Sequence, residues 1–86
     1  MKITVEIPEY SGEGFRHEWE DGFEIETKIM DGEIVISANK AGLISLAKQL
    51  LTLAQDSVPV HHHFHLDEYN ALEEGSAHLI MEKIPS

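Results

Sequence analysis

The chain has 86 residues, 42% hydrophobic and 26% charged, which is typical of one globular domain covering residues 1–86. Sixteen acidic residues against six basic ones give a formal net charge of −10 at pH 7. This charge argues against binding to nucleic acid or to an anionic membrane surface, and the absence of cysteine excludes disulfides and thiol chemistry.

The first residues predict a short strand. Ile3, Val5 and Ile7 alternate with polar residues up to Pro8, as expected for a half-buried strand. Neither this segment nor any other contains the apolar run that a signal peptide or a membrane-spanning helix requires. We therefore expect a cytoplasmic protein.

Residues 15–38 predict a three-stranded antiparallel meander. A two-residue turn at Asp31-Gly32 would pair Ile29 with Ile34, Thr27 with Ile36 and Ile25 with Ala38, all on one face. A three-residue turn at residues 20–22 would extend that face by three further pairs, Trp19 with Phe23, His17 with Ile25 and Phe15 with Thr27. Because both turns produce the same apolar face, the meander is self-consistent.

The next segment predicts an amphipathic helix. Asn39 is a good N-cap for residues 40–55. An apolar stripe recurs at helical spacing and is expected to face the sheet: Leu43, Leu46, Ala47, Leu50, Leu53 and Ala54. The polar residues between them are expected to face water: Lys48, Gln49, Thr52 and Gln55.

The C-terminal part predicts two more strands, Val60 to Leu66 and Ala77 to Ile84. Between them, Asp67 to Gly75 has the pattern of one or two helical turns. The expected fold class is α+β, with an antiparallel sheet of about five to six strands and the helix packed on one face.

Histidines form the main cluster of candidate ligands. His61, His63 and His65 alternate on one predicted strand face, and His78 lies on the strand expected to pair with it. Imidazole nitrogens bind transition metals, so these four residues are a candidate zinc or nickel site. Against this, structural zinc sites usually include cysteine, and a solvent-facing strand tolerates histidine without a metal.

Catalytic motifs are missing from the sequence. It contains no nucleophile elbow, no glycine-rich phosphate loop and no His-Glu-x-x-His pair, and one sheet under one helix offers little cavity. We therefore expect no enzyme activity, no catalytic residues and no organic cofactor.

The C-terminal half resembles the immunity protein 32 family of bacterial polymorphic toxin systems. The resemblance lies in Asn39-x-x-Gly42-Leu43, Ser45-Leu-Ala47, His63-Phe-His-Leu-Asp67, Leu72-Glu and Gly75-Ser76. It implies a non-enzymatic protein that binds and neutralises a cognate toxin, and the acidic charge suggests a basic one. The sequence does not indicate which residues contact the toxin. Two alternatives stay open, a small metal-binding protein built on the histidines and a homodimer formed through an exposed strand edge.

Overall fold

The computed structural model describes residues 1–11, 14 and 16–86. Its elements are, in chain order, β1 (Ile25–Met30), β2 (Glu33–Ala38), α1 (Lys40–Leu53), β3 (His63–Leu66) and β4 (Leu79–Glu82). The strands form two antiparallel pairs, β1-β2 and β3-β4. The α+β class is confirmed, but the predicted sheet of five to six strands is wrong.

The β1-β2 hairpin has the predicted register. Ile29 lies opposite Ile34, Thr27 opposite Ile36 and Ile25 opposite Ala38. Asp31 and Gly32 have φ angles of 50° and 78°, the left-handed pair that a two-residue hairpin turn requires. The turn residues therefore determined the register, as the sequence indicated.

The two N-terminal strands of the prediction are absent from the described residues, because this part of the chain bonds to side chains in α1 and just after it instead. Gln55 accepts a bond from the Tyr10 amide at 3.2 Å and donates one to the Pro8 carbonyl at 3.0 Å. Ser45 Oγ accepts from the Glu20 amide at 2.8 Å. The turn at residues 20–22 does form, but the Trp19 and Phe23 rings stack at 4.9 Å instead of continuing a ladder. The predicted pairing of Phe15 lies outside the described residues.

Helix α1 begins as predicted but buries a different face. Asn39 is the N-cap, and its side chain accepts the Gly42 amide at 2.8 Å. Gln49 and Thr52, expected in water, are 0% and 1% exposed, whereas Leu43 and Leu50 are 56% and 46% exposed. Both side chains have a backbone partner when buried: the Gln49 amide donates to the Glu18 carbonyl, before β1, and the Thr52 hydroxyl donates to the Lys48 carbonyl within the helix.

The core lies between α1 and the β3-β4 hairpin. Its buried apolar residues are Ile25, Leu46, Leu53, Val58, Phe64, Leu66, Ala71 and Leu72.

Both C-terminal strands are shorter than predicted, partly because His61 has a φ of 72° that breaks the extended chain. Residues 67–75 form turns rather than helix, with the Asp67 side chain accepting the Tyr69 amide at 2.8 Å.

A connecting segment links the two sheets without merging them. Glu73 N donates to Ile25 O at 2.8 Å, and Ala77 N donates to Thr27 O at 3.1 Å. The Thr27 amide, however, donates to the Ser76 hydroxyl at 3.2 Å and not to a backbone carbonyl. A side chain thus replaces one backbone hydrogen bond of the ladder, which leaves two separate sheets.

Within the described ranges, no helix is long and apolar enough to cross a bilayer.

Candidate functional site

The histidine cluster lies on the outer face of the β3-β4 hairpin. Strand β3 buries Phe64 and Leu66 and exposes His63 and His65 by its alternation. His63 lies opposite Glu82 of β4, and its Nδ1 is 4.0 Å from Glu82 Oε1. His61 Nδ1 is 3.3 Å from Glu82 Oε2. The structure therefore brings two of the predicted ligands to one carboxylate.

The other two predicted ligands are less closely grouped. The His65 ring lies 5.0 Å from that of His63, edge to face, and His78 is exposed just before β4. His63 Nδ1 lies 3.0 Å from the His61 carbonyl oxygen, which ties this nitrogen to the backbone when it carries the proton. Among residues 1–11, 14 and 16–86 no group of three or more histidine, aspartate or glutamate side chains is arranged to hold a metal ion. The metal site stays a prediction.

Part of the β1-β2 hairpin projects from the core as an apolar surface. Ile25 and Thr27 are buried, but Ile29 and Ile34, farther along the same face, are 71% and 73% exposed. Ile36 is 42% exposed. Exposed branched residues grouped on one sheet face are typical of surfaces that bind another protein.

The outer edge of β2 is the second feature of this hairpin. Ile25 and Thr27 direct their backbone carbonyls away from β2, toward Glu73 and Ala77. In an antiparallel pair the residue opposite such a position also directs its N–H and C=O outward. Ile36 and Ala38, and by alternation Ile34, therefore present their backbone groups to the free edge. In the part of the chain that the structure describes, no strand pairs with this edge.

Helix α1 adds a second exposed apolar surface. Leu43, Leu50 and Leu51 are each about half exposed on the side turned away from the core. A helix with apolar residues on both faces generally packs against partners on both sides. The sequence contained this signal, since an Ile-Val-Ile run in β2 and leucines around the helix exceed what one sheet face can cover.

Several basic side chains bond to groups within the chain. Lys28 pairs with Glu26 at 2.8 Å, and this hydrogen bond, with the attraction of the carboxylate, raises the pKa of Lys28. Lys48 pairs with Glu20 at 3.1 Å, and Lys83 donates to two backbone carbonyls. Three of the six basic side chains are thus engaged within the chain, and most carboxylates among the described residues face solvent.

A shallow acidic cleft lies at the base of the first hairpin. Glu24, Glu26 and Glu73 line it together with Asn39 at the start of the helix. A second depression is lined by aromatic and imidazole rings, with His17, Trp19 and His65 at its border. Burial lowers the pKa of His17, and the nearby His62 lowers it further.

Comparison with known proteins identifies a family. The family described as immunity protein 32 matches residues 33–84, more than half of the chain, from β2 to just beyond β4. No curated protein and no solved structure matches. The matched range contains the helix and the histidine hairpin on which the sequence resemblance rested. The chain belongs to the immunity protein 32 family.

Proposed function

We propose that this chain is a non-enzymatic immunity protein that binds a cognate bacterial toxin of a polymorphic toxin system and neutralises it. The observation that carries the proposal is family membership over residues 33–84. Neutralisation by binding requires a surface and no reactive group, and the chain presents two apolar surfaces. We place this action in the cytoplasm of the cell to be protected.

A basic toxin is the partner that the charge favours. The net charge of −10 creates a negative field that attracts a basic protein and accelerates its association. Exposed isoleucines and leucines supply apolar area for a stable complex, while the surrounding carboxylates orient the partner. An acidic inhibitor would cover the basic substrate groove of a nuclease toxin, competing directly with its anionic substrate.

The test is a pull-down from the native bacterium with the untagged chain coupled to a resin as bait. The expected result is capture of a secreted protein carrying a toxin domain and encoded by an adjacent gene. A matched bait, an unrelated acidic protein of similar length and net charge coupled at the same density, measures nonspecific capture by acidity. Recovery of only general basic proteins on both resins would contradict the proposal.

A metal-binding role is the second candidate, favoured by the approach of His61 and His63 to Glu82. It predicts stoichiometric zinc or nickel in protein purified without an affinity tag. His63→Ala with His65→Ala should then abolish the metal content, while His17→Ala, at a histidine outside the four predicted ligands, should retain it. Metal-free wild-type protein after growth in supplemented medium would rule this role out.

A further inference from the structure

The outer edge of β2 lacks the features that usually protect an edge strand. Natural edges carry proline, bulges or central charges that discourage pairing with another strand. Strand β2 is six residues long, contains no proline and carries its only charge at Glu33, its first residue. Its outward-directed backbone groups belong to Ile34, Ile36 and Ala38, as the register shows. The edge is therefore open to an added strand.

Two copies of β2 fit each other in antiparallel register. If Ile36 lies opposite Ile36 of the second copy, Ile34 lies opposite Ala38 of that copy. These are the residues whose N–H and C=O groups point outward, so each pair can exchange both backbone hydrogen bonds. Their side chains all lie on the face that exposes Ile29. Pairing would thus join two exposed apolar faces into one.

Charges at the ends of this register are complementary. The same pairing brings the start of α1 in one copy, where Lys40 is the first helical residue, near the turn of the other copy. That turn carries Asp31, with Glu33 beside it, and Lys40 is exposed. Each end of the paired strands would thus place a lysine near two carboxylates.

We propose that two copies of this chain associate through the outer edges of β2, forming a four-stranded sheet in the order β1-β2-β2-β1 with two-fold symmetry. The net charge of −10 on each copy opposes this association at long range. Salt screens charges beyond about 8 Å at physiological ionic strength but acts less on groups in contact. The dimer should therefore tighten as salt is added.

Sedimentation velocity of the untagged full chain over a concentration series tests the proposal. We expect a monomer–dimer equilibrium whose dissociation constant falls between about 0.05 M and about 0.5 M sodium chloride. Ile36→Pro removes one outward N–H and leaves the ladder with β1 intact, as proline does on edge strands. It should weaken the dimer at least about tenfold, whereas Ile36→Val should not. Circular dichroism checks that both variants fold.

A charge exchange tests the register. Lys40→Glu should weaken the dimer, and adding Glu33→Lys should recover part of this loss while returning the net charge to −10, since Asp31 remains at the turn. A chain that stays monomeric at every concentration and salt would overturn the proposal. So would a dimer that survives Ile36→Pro but is lost with Leu50→Lys, since the interface would then be the helix. If the β2 edge instead binds a strand of the toxin, the free chain should be monomeric, and Ile36→Pro should abolish its complex with the toxin.

Discussion

Gly42 lets the helix approach the first hairpin. A Cβ at this position would lie too close to the Glu24 carbonyl oxygen, and it would lie 3.0 Å from Ile25 Cγ1 and 3.1 Å from Ala38 Cβ. The backbone oxygen cannot move aside without disturbing the start of β1. The glycine is therefore required by close packing, although it sits in a helix where alanine is intrinsically preferred by about 1 kcal/mol.

Gly42→Ala should lower the free energy of unfolding by about 1–3 kcal/mol, because overpacking outweighs the gain in helix propensity. Urea denaturation monitored by circular dichroism measures the change. Leu43→Ala is the matched control, since it introduces the same residue at the next, solvent-facing position and should change stability by less than about 0.5 kcal/mol. A stabilised Gly42→Ala variant would contradict the close approach.

Protonation of His17 should make the free energy of unfolding depend on pH. Its ring lies 6.0 Å from that of Trp19 and 5.6 Å from that of Phe64. Burial, with a contribution from His62, lowers the pKa of His17 below its ordinary value of 6.5. The folded state therefore binds this proton less readily than the unfolded state, so stability falls as the pH drops through 6.5 toward the folded pKa.

His17→Gln should consequently reduce the loss of stability between about pH 7.5 and about pH 5. Urea midpoints at several pH values for wild type and variant measure the difference. Tyr69→Gln, at a side chain that is 87% exposed, controls for the introduced glutamine and should follow the wild-type profile. An unchanged slope in His17→Gln would show that this histidine is not protonated differently in the two states.

At the scale of elements, the sequence predicted what local chemistry determines. The β1-β2 register followed from Asp31-Gly32, and the helix start followed from Asn39, because both signals operate within a few residues. The first predicted strand failed because the alternation at Ile3 to Ile7 does not specify a partner. The prediction of which face of α1 is buried was wrong for a related reason. Gln49 is covered by a segment distant in sequence, and its side-chain amide donates to the Glu18 carbonyl.

In the candidate site, too, local sequence patterns predicted some features and missed others. Alternation placed His63 and His65 together on an exposed face, as predicted. It could not place His61, whose left-handed backbone ends the alternation, or show that Glu82 lies opposite His63. The exposed β2 edge was also beyond local patterns, because it depends on whether any other described strand joins the sheet at that edge, and none does.

Asn39 holds the helix and the hairpin together. Its Oδ1 accepts the amides of Gly42 and Glu24 at 2.8 and 3.0 Å, and its Nδ2 donates to Gly22 O at 2.9 Å. Asn39→Ala should cost about 1–2 kcal/mol of unfolding free energy, at the upper end for a cap. Asn39→Asp keeps the acceptor and should cost less. Equal losses in the two urea titrations would indicate that the bond to Gly22 dominates.

At the scale of the whole molecule, the excess of carboxylates distinguishes the two associations that we propose. Binding to a basic toxin joins opposite charges, so its dissociation constant should rise with salt, mainly through slower association. Self-association joins like net charges and should respond in the opposite direction. Because of the same net charge of −10, added salt should thus weaken the toxin complex and strengthen the homodimer.

Surface plasmon resonance of the immobilised toxin domain at several salt concentrations measures this prediction. Association should slow by about tenfold or more between low and high salt if steering operates. Glu73→Gln with Glu74→Gln, two exposed carboxylates, should reduce the salt dependence without unfolding the chain. A salt-independent association rate would contradict the electrostatic part of the account and leave the apolar surfaces as the source of affinity.

Protection of growing cells tests the central claim most directly. The toxin domain encoded beside this chain is expressed from an inducible promoter in a heterologous bacterium, with the chain or an empty vector supplied on a second plasmid. The account predicts growth arrest with the empty vector and restored growth with the chain, at equal toxin levels by immunoblot. Growth arrest that persists when the folded chain is present in excess over the toxin would contradict it.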